Sequence, residues 1–115
     1  AFEWASSGVR VNAVAPGWVA SSGMDTYDGP IKHLIPKLRQ AVPLKRLATE
    51  SEVSSAICFL LSDGASFISG ATLRVDGAAS VGNISVWPLM DAQNSNSYNG
   101  FHRASLPKVL EESND

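Results

Sequence analysis

A chain of 115 residues with 44% apolar and 17% charged side chains has the balance of a globular protein and the length of one domain at most. Its formal net charge of −2, with no basic cluster, argues against nucleic-acid binding. The longest uninterrupted apolar run, Ala56 to Leu61, is far too short to span a bilayer, and the lone Cys58 excludes an internal disulfide and argues against a protein zinc site.

Ala1 to Ser7 reads as the last turns of a helix, and Gly8 suits the left-handed position that follows a helix end. Val9, Val11 and Val14 mark a strand, with Ala13 and Ala15 small enough for close packing. Pro16 lacks an N–H and is expected to stop that strand's pairing, so that Pro16-Gly17 forms a turn at its carboxyl end. Ser22 to Arg46 holds three prolines and two glycines among scattered apolar residues. It predicts an irregular segment with one short helix, about Ile31 to Ala41.

Thr49 opens the clearest helix. Thr49-Glu50-Ser51-Glu52 matches a capping box, in which the Thr hydroxyl accepts from the Glu52 N–H and the Glu52 carboxylate reaches back. Val53, Ala56, Ile57, Leu60 and Leu61 follow at i, i+3, i+4, i+7 and i+8, giving one apolar stripe. Cys58 lies beside it and is expected to be a small buried hydrophobe. Asp63-Gly64 ends the helix, Thr72 to Val75 reads as a short strand, and Asp76 caps the Asp76-Gly77 turn. Strand, helix and strand make a βαβ unit, with parallel strands and a right-handed crossover. After Ser80 the sequence turns rich in Asn and Ser, and only Trp87-Pro88-Leu89 and Tyr98 to Leu106 stand out as segments that could dock as a tail.

The stretch Gly8-Val9-Arg10-Val11-Asn12-Ala13-Val14-Ala15-Pro16-Gly17, followed by Val19 and Ser21, resembles the C-terminal portion of short-chain dehydrogenases/reductases. The helix around Ala48-Thr49-Glu50-Ser51-Glu52-Val53 and the strand Gly70-Ala71-Thr72-Leu73-Arg74-Val75-Asp76-Gly77 follow in that family's order. The resemblance covers about two thirds of the chain. It implies an α/β fold: the C-terminal βαβ part of a Rossmann-like doubly wound parallel sheet, incomplete as given. Residues 1–80 would be that part of a dinucleotide-binding oxidoreductase domain, with a substrate loop at about 22–46, and residues 81–115 a C-terminal tail. With no initiator Met and a start inside a helix, the chain reads as a piece of a longer protein.

In open α/β sheets the ligand sits at the carboxyl ends of the strands. The resemblance therefore implies an NAD or NADP site at Pro16, Gly17, Val19 and Ser21. A carboxamide offers one donor and one acceptor end, which a main-chain N–H and C=O read together. By resemblance Val19 supplies that main chain, and Ser21 bonds the carboxamide or a phosphate. Gly17 would let the backbone approach the nicotinamide, and Pro16 would stiffen the turn. The bland reading of the same residues is a plain Pro-Gly turn with a solvated serine. Trp18 and Met24, nearest that turn, are the substrate-pocket candidates, the other apolar residues of the loop serving equally well as filler.

His33 and His102 read as surface or packing histidines, since neither has an acid partner in a recognisable motif. The family's Tyr-x-x-x-Lys pair is absent: Tyr27 and Tyr98 are followed four residues on by Ile31 and His102. The pyrophosphate turn Gly-x-x-x-Gly-x-Gly is absent too, so no catalytic residue and no metal ligand is identified in this chain. The resemblance implies a small, apolar substrate, such as an acyclic terpene alcohol or an enoyl-CoA-like compound, and a dimer or tetramer; the lone cysteine fits a cytoplasmic location, and the charge and short apolar runs leave neither nucleic acid nor membrane as partner. A reading from another class stays open: a non-catalytic module that pairs with a partner chain through its helix stripe.

Overall fold

The computed structural model describes residues 1–100 and 107–111. In chain order the elements are β1 (Ala13–Pro16), β2 (Val19–Ala20), α1 (Ile35–Ala41), β3 (Ala48–Thr49), α2 (Glu50–Leu61), β4 (Thr72–Val75) and α3 (Lys108–Glu111). Single 3-10 segments stand at Ala5–Ser7, Ser22–Thr26, Gly29–Leu34 and Asp63–Ala65. The helix end expected over Ala1 to Ser7 is thus a 3-10 turn, closed by Gly8 at φ 73°. His102 and the tail residues up to Leu106 lie outside the described residues.

β1 and β4 are parallel, as the βαβ reading requires, with Ala13 opposite Thr72 and Pro16 opposite Val75. α2 packs against both strands. Pro16 does not stop the pairing. The N–H groups of Ala13 and Gly17 donate to Ala71 O and Val75 O at 2.9 and 3.0 Å. Alternation along a parallel ladder then turns the Pro16 nitrogen to the opposite edge, where its missing N–H interrupts nothing.

The strand begins at Ala13 rather than Val9, because side chains take over the preceding residues. Asn12 donates from Nδ2 to Ile68 O at 2.9 Å and accepts from the Ala71 N–H at 3.0 Å, standing in for a ladder rung. The Arg10 guanidinium donates to Leu60 O at 2.7 Å and Ile68 O at 3.2 Å, which satisfies a carbonyl in the last turn of α2 and ties it to the strand's approach.

A second parallel pair, unforeseen from the sequence, joins β2 to β3, with Val19 opposite Ala48 and Ala20 opposite Thr49. These strands are two residues long, too short for any periodicity to show. The best-buried apolar cluster lies beside them: Ala20, Ile35, Leu47 and Val109, with Met24, Leu38 and Leu110 packed around it. Segment 22–46 therefore folds back onto the β2–β3 pair. The helix expected from Ile31 starts in α-form only at Ile35, because Gly29–Leu34 winds as 3-10 and Pro36 occupies the first turn of α1.

The α2 capping box forms as expected: the Glu52 N–H donates to Thr49 Oγ1 at 3.2 Å, and the Thr49 N–H donates to Glu52 Oε2 at 2.8 Å. The apolar stripe divides. Leu60 is buried and Val53 and Ala56 are half-buried, whereas Ile57 and Leu61 are exposed, Leu61 to 76%. Cys58 is exposed, contrary to expectation, because no described residue covers the face it shares with Ile57 and Leu61. No helix among the described residues is long and apolar enough to cross a membrane.

Candidate cofactor-binding site

The residues singled out for cofactor contact follow the carboxyl end of β1. Pro16, Gly17 and Trp18 line a hollow of about 510 Å³, completed by Ala15, Arg74, Asp76, Ala79 and Ser80. Trp18, 48% exposed, also walls a second hollow of about 300 Å³ that reaches Arg46 and Glu52. The two hollows share Arg74 and Asp76, at the end of β4. Arg74 was not singled out from the sequence. Its strand neighbour Ala15 lies directly opposite in register, and this pairing puts its side chain beside the Pro16–Gly17 turn.

Gly17 is required at its position by the protein itself. A Cβ placed on it would lie 2.9 Å from both the Cα and the Cβ of Asp76. Its N–H is committed to Val75 O. The Trp18 carbonyl is likewise committed, accepting from the Ala48 N–H at 2.9 Å. Residue 18 therefore faces β3, and so does residue 20. By the alternation of a parallel ladder, the N–H and C=O of Val19 turn away from β3. Val19 thus presents one donor and one acceptor side by side on an irregular two-residue strand just beyond the β1 turn. Those are the two groups a primary carboxamide needs.

Ser21 occupies the N-cap position of the Ser22–Thr26 turn, but its hydroxyl makes no capping hydrogen bond. Its carbonyl accepts from the Met24 N–H at 2.9 Å. Met24 points elsewhere. It packs on the buried cluster and lines a third hollow, of about 490 Å³, with His33, Arg39, Lys108 and Val109 among its walls. The two substrate-pocket candidates, Trp18 and Met24, accordingly belong to different hollows. His33 is exposed on the third hollow's rim.

Asp76 accepts from the N–H groups of Ala78 at 3.0 Å and Ser80 at 3.2 Å and from the Ser80 hydroxyl, which is the Asx-turn role expected of it. The Ser80 hydroxyl foremost, with both N–H groups and nearby Arg74, outweighs desolvation and holds the Asp76 carboxyl below its ordinary pKa. A carboxylate so held is not a general acid at neutral pH. No group of three or more His, Cys, Asp or Glu side chains suited to a metal ion occurs among the described residues.

Residues 1–80 match the sequence profile of the family described as Enoyl-(Acyl carrier protein) reductase. The chain belongs to the short-chain dehydrogenases/reductases. A tropinone reductase homologue of Arabidopsis thaliana is 39% identical over 88 residues, 76% of this chain and 32% of the relative. A short-chain dehydrogenase family protein of Francisella tularensis superposes with a TM-score of 0.63 at 27% identity, over 71% of this chain and 37% of that one. The citronellol catabolism dehydrogenase of Pseudomonas aeruginosa PAO1 is 57% identical, with a TM-score of 0.53, over 69% of this chain and 28% of that one. The chain spans about a third or less of the length of the curated relatives it matches. The parallel β1–β4 pair and the α2 helix packed on it belong to the family's Rossmann-like fold.

Proposed function

We propose that these residues serve an NAD- or NADP-dependent oxidoreductase, and that Val19 supplies the main-chain clamp for the cofactor's carboxamide. The observation that carries this reading is the orientation of Val19: a donor and an acceptor turned out of the β2–β3 ladder, one residue past a Trp18 carbonyl that is already paired. Ser21, its hydroxyl uncommitted as a cap, adds a third polar group two residues on. The donor set fits the group. When bound, the nicotinamide would accept a hydride from an alcohol or deliver one to a carbonyl or activated alkene. This chain's part is to fix the ring plane. Val19 would hold the carboxamide, the Pro16–Gly17 turn would position it beside the end of β1, and Trp18 would present apolar surface to the neighbouring hollow.

Catalytic proton transfer belongs to residues outside this chain, and the 115 residues alone are expected to be inactive and not to bind NADH. Titration of the isolated chain with NADH, followed by fluorescence, tests that; saturable micromolar binding contradicts it. For the complete polypeptide we infer a small apolar substrate and a cytoplasmic setting. The 57% identity to the citronellol catabolism dehydrogenase favours an acyclic terpenoid alcohol. Segment 22–46 would form the substrate loop, with the apolar face of Trp18 toward the reacting carbon. The deciding experiment compares oxidation of citronellol with reduction of an enoyl or 3-oxoacyl thioester, using each nicotinamide cofactor. Turnover of citronellol is expected, and turnover of the thioesters alone moves the reading to acyl substrates.

A further inference from the structure

After the Asp76 turn the chain runs outward. Val81, Val86, Trp87 and Met90 are each more than 60% exposed, and little holds this stretch to the rest. Yet residues 95–99 return and attach at one place, the entrance to α2. There Arg46 and Glu52 form a two-pronged pair at 2.9 and 2.7 Å, with both side chains mostly buried. Two further N–H groups of Arg46 are committed to the tail: Nε donates to Ser95 Oγ at 3.0 Å, and one terminal nitrogen to Asn96 O at 3.1 Å.

The tail's main chain completes the attachment. The Tyr98 N–H donates to Glu52 Oε1 at 3.1 Å, and the Tyr98 carbonyl accepts from the Thr49 hydroxyl. One backbone unit thus has its donor and its acceptor both satisfied by side chains at the entrance to α2. The Tyr98 ring itself is half exposed, so the seat does not depend on the side chain. Closing a loop of more than 40 residues is entropically unfavourable, and the single charge-assisted bonds from Arg46 and to Glu52 are of the stronger kind that offsets it.

We propose that residues 95–99 are a clasp that closes on Arg46 and Glu52, holds β3 against β2, and so positions the Val19 main chain. The linkage is short. Thr49, which bonds the clasp, is a β3 residue opposite Ala20, the neighbour of Val19. Arg46 also donates to Leu47 O at 3.3 Å, one residue before β3. Opening the clasp removes the Thr49–Tyr98 bond and both tail contacts of Arg46 at once. The step from β2 to cofactor affinity rests on the reading of Val19 given above.

The test uses the complete polypeptide and two readouts, amide hydrogen exchange and the NADH or NADPH dissociation constant. In the wild type the Tyr98 amide should exchange at least tenfold more slowly than that of Ser97. Tyr98→Pro deletes the donor and should speed exchange at Ala48 and Ala20 at least tenfold, whereas Tyr98→Ala should stay within twofold of wild type. Arg46→Lys keeps the charge but loses the fork and should match Tyr98→Pro. The double variant should be no worse than the worse single, because both open one device. An unprotected Tyr98 amide in the wild type overturns the clasp without reference to any variant. So does unchanged exchange at Ala48 in Tyr98→Pro. Faster exchange together with a cofactor dissociation constant raised about fivefold or more supports the proposal in full. Faster exchange with unchanged affinity overturns Val19 as the cofactor strand, while the clasp on β3 stands.

Discussion

Gly17 lies against Asp76 so closely that a methyl group on its Cα would sit 2.9 Å from the Asp76 Cα. The Pro-Gly turn and the Val-Asp-Gly turn, about 60 residues apart, are therefore a single packed unit. Both strands end there, and the hollow that receives Pro16, Gly17 and Trp18 also receives Arg74 and Asp76. Gly17→Ala is expected to destabilise the protein by roughly 1–3 kcal/mol, the range for forcing an extra group into a packed site. On the role proposed for Ser21, Ser21→Ala is expected to remove one hydrogen bond to the cofactor, worth about 1 kcal/mol, and to leave stability unchanged. Thermal unfolding and cofactor titration separate the two: Gly17→Ala lowers both Tm and affinity, and Ser21→Ala lowers affinity alone. An unchanged Tm for Gly17→Ala would contradict the contact with Asp76.

Glu52 sets an acid limit on the fold. Burial raises its pKa, but the hydrogen bond from the Arg46 guanidinium and those from the N–H groups of Thr49 and Tyr98 outweigh it and hold the carboxyl below its reference value of 4.5. A carboxyl with a lowered folded-state pKa favours the folded state above the unfolded value, and that contribution disappears as pH falls through the folded value. Stability should therefore be flat in pH above about 5 as far as Glu52 is concerned, and fall on acidification below pH 4.5. Glu52→Gln should flatten that acid limb and lower stability at neutral pH. Urea denaturation from pH 3 to 7 measures both. A variant whose acid limb matches the wild type's would show that Glu52 does not carry it.

Ala78 has φ 70°, a left-handed conformation reached by few residues with a Cβ. It is exposed, and its N–H is held by Asp76 Oδ1. Left-handed backbone costs a non-glycine residue roughly 1–2 kcal/mol, and the extra freedom of glycine in the unfolded chain takes back about half of that. Ala78→Gly is thus expected to raise stability by about 0.5–1 kcal/mol. A lower Tm for the variant would mean that the Cβ makes a contact outweighing the strain.

The parts legible in the sequence are those whose signal is local. The capping box at Thr49 and Glu52, the turn at Asp76 and the strand Thr72–Val75 each need only a few adjacent residues, and each forms. The family itself was legible in three motifs kept in order. What escaped the reading is side-chain work across long separations. Arg10 reaches Leu60 O and Asn12 reaches Ile68 O, 50 and 56 residues away, and no periodicity encodes either. The β2–β3 pair escaped because two residues show no alternation. The expected burial of Cys58 and of the whole α2 stripe failed for another reason. Helical spacing says which side chains share a face, not whether anything covers it. Gly17 stands out in the sequence for the approach of a nicotinamide; its packing against Asp76, far along the chain, has no local signal.

The last expectation concerns assembly. After the turn that follows β4, several apolar side chains of this chain stand exposed. Val81, Ile84 and Trp87 are 64%, 51% and 77% exposed, and Ala79 is half-buried beside them in sequence. Apolar patches of this kind mark contact sites more often than free surface. A two-fold contact between copies would cover the patch with itself, and a single substitution would then enter the interface twice. We expect the complete polypeptide to form a dimer or tetramer in which Ala78, Ala79 and Val81 lie at or near the contact and Trp87 reaches toward the neighbour. The competing arrangement is a monomer in which the chain after Ser80 folds back over its own sheet edge. Ala79→Arg should shift the mass measured by light scattering toward the monomer, and Trp87→Ala should weaken association without altering the far-ultraviolet circular dichroism. The Arg side chain points from a short turn whose Asp76 contacts are made by the main chain and Ser80, so the variant retains them. A monomeric wild type, or an Ala79→Arg variant of unchanged mass, would place the contact elsewhere.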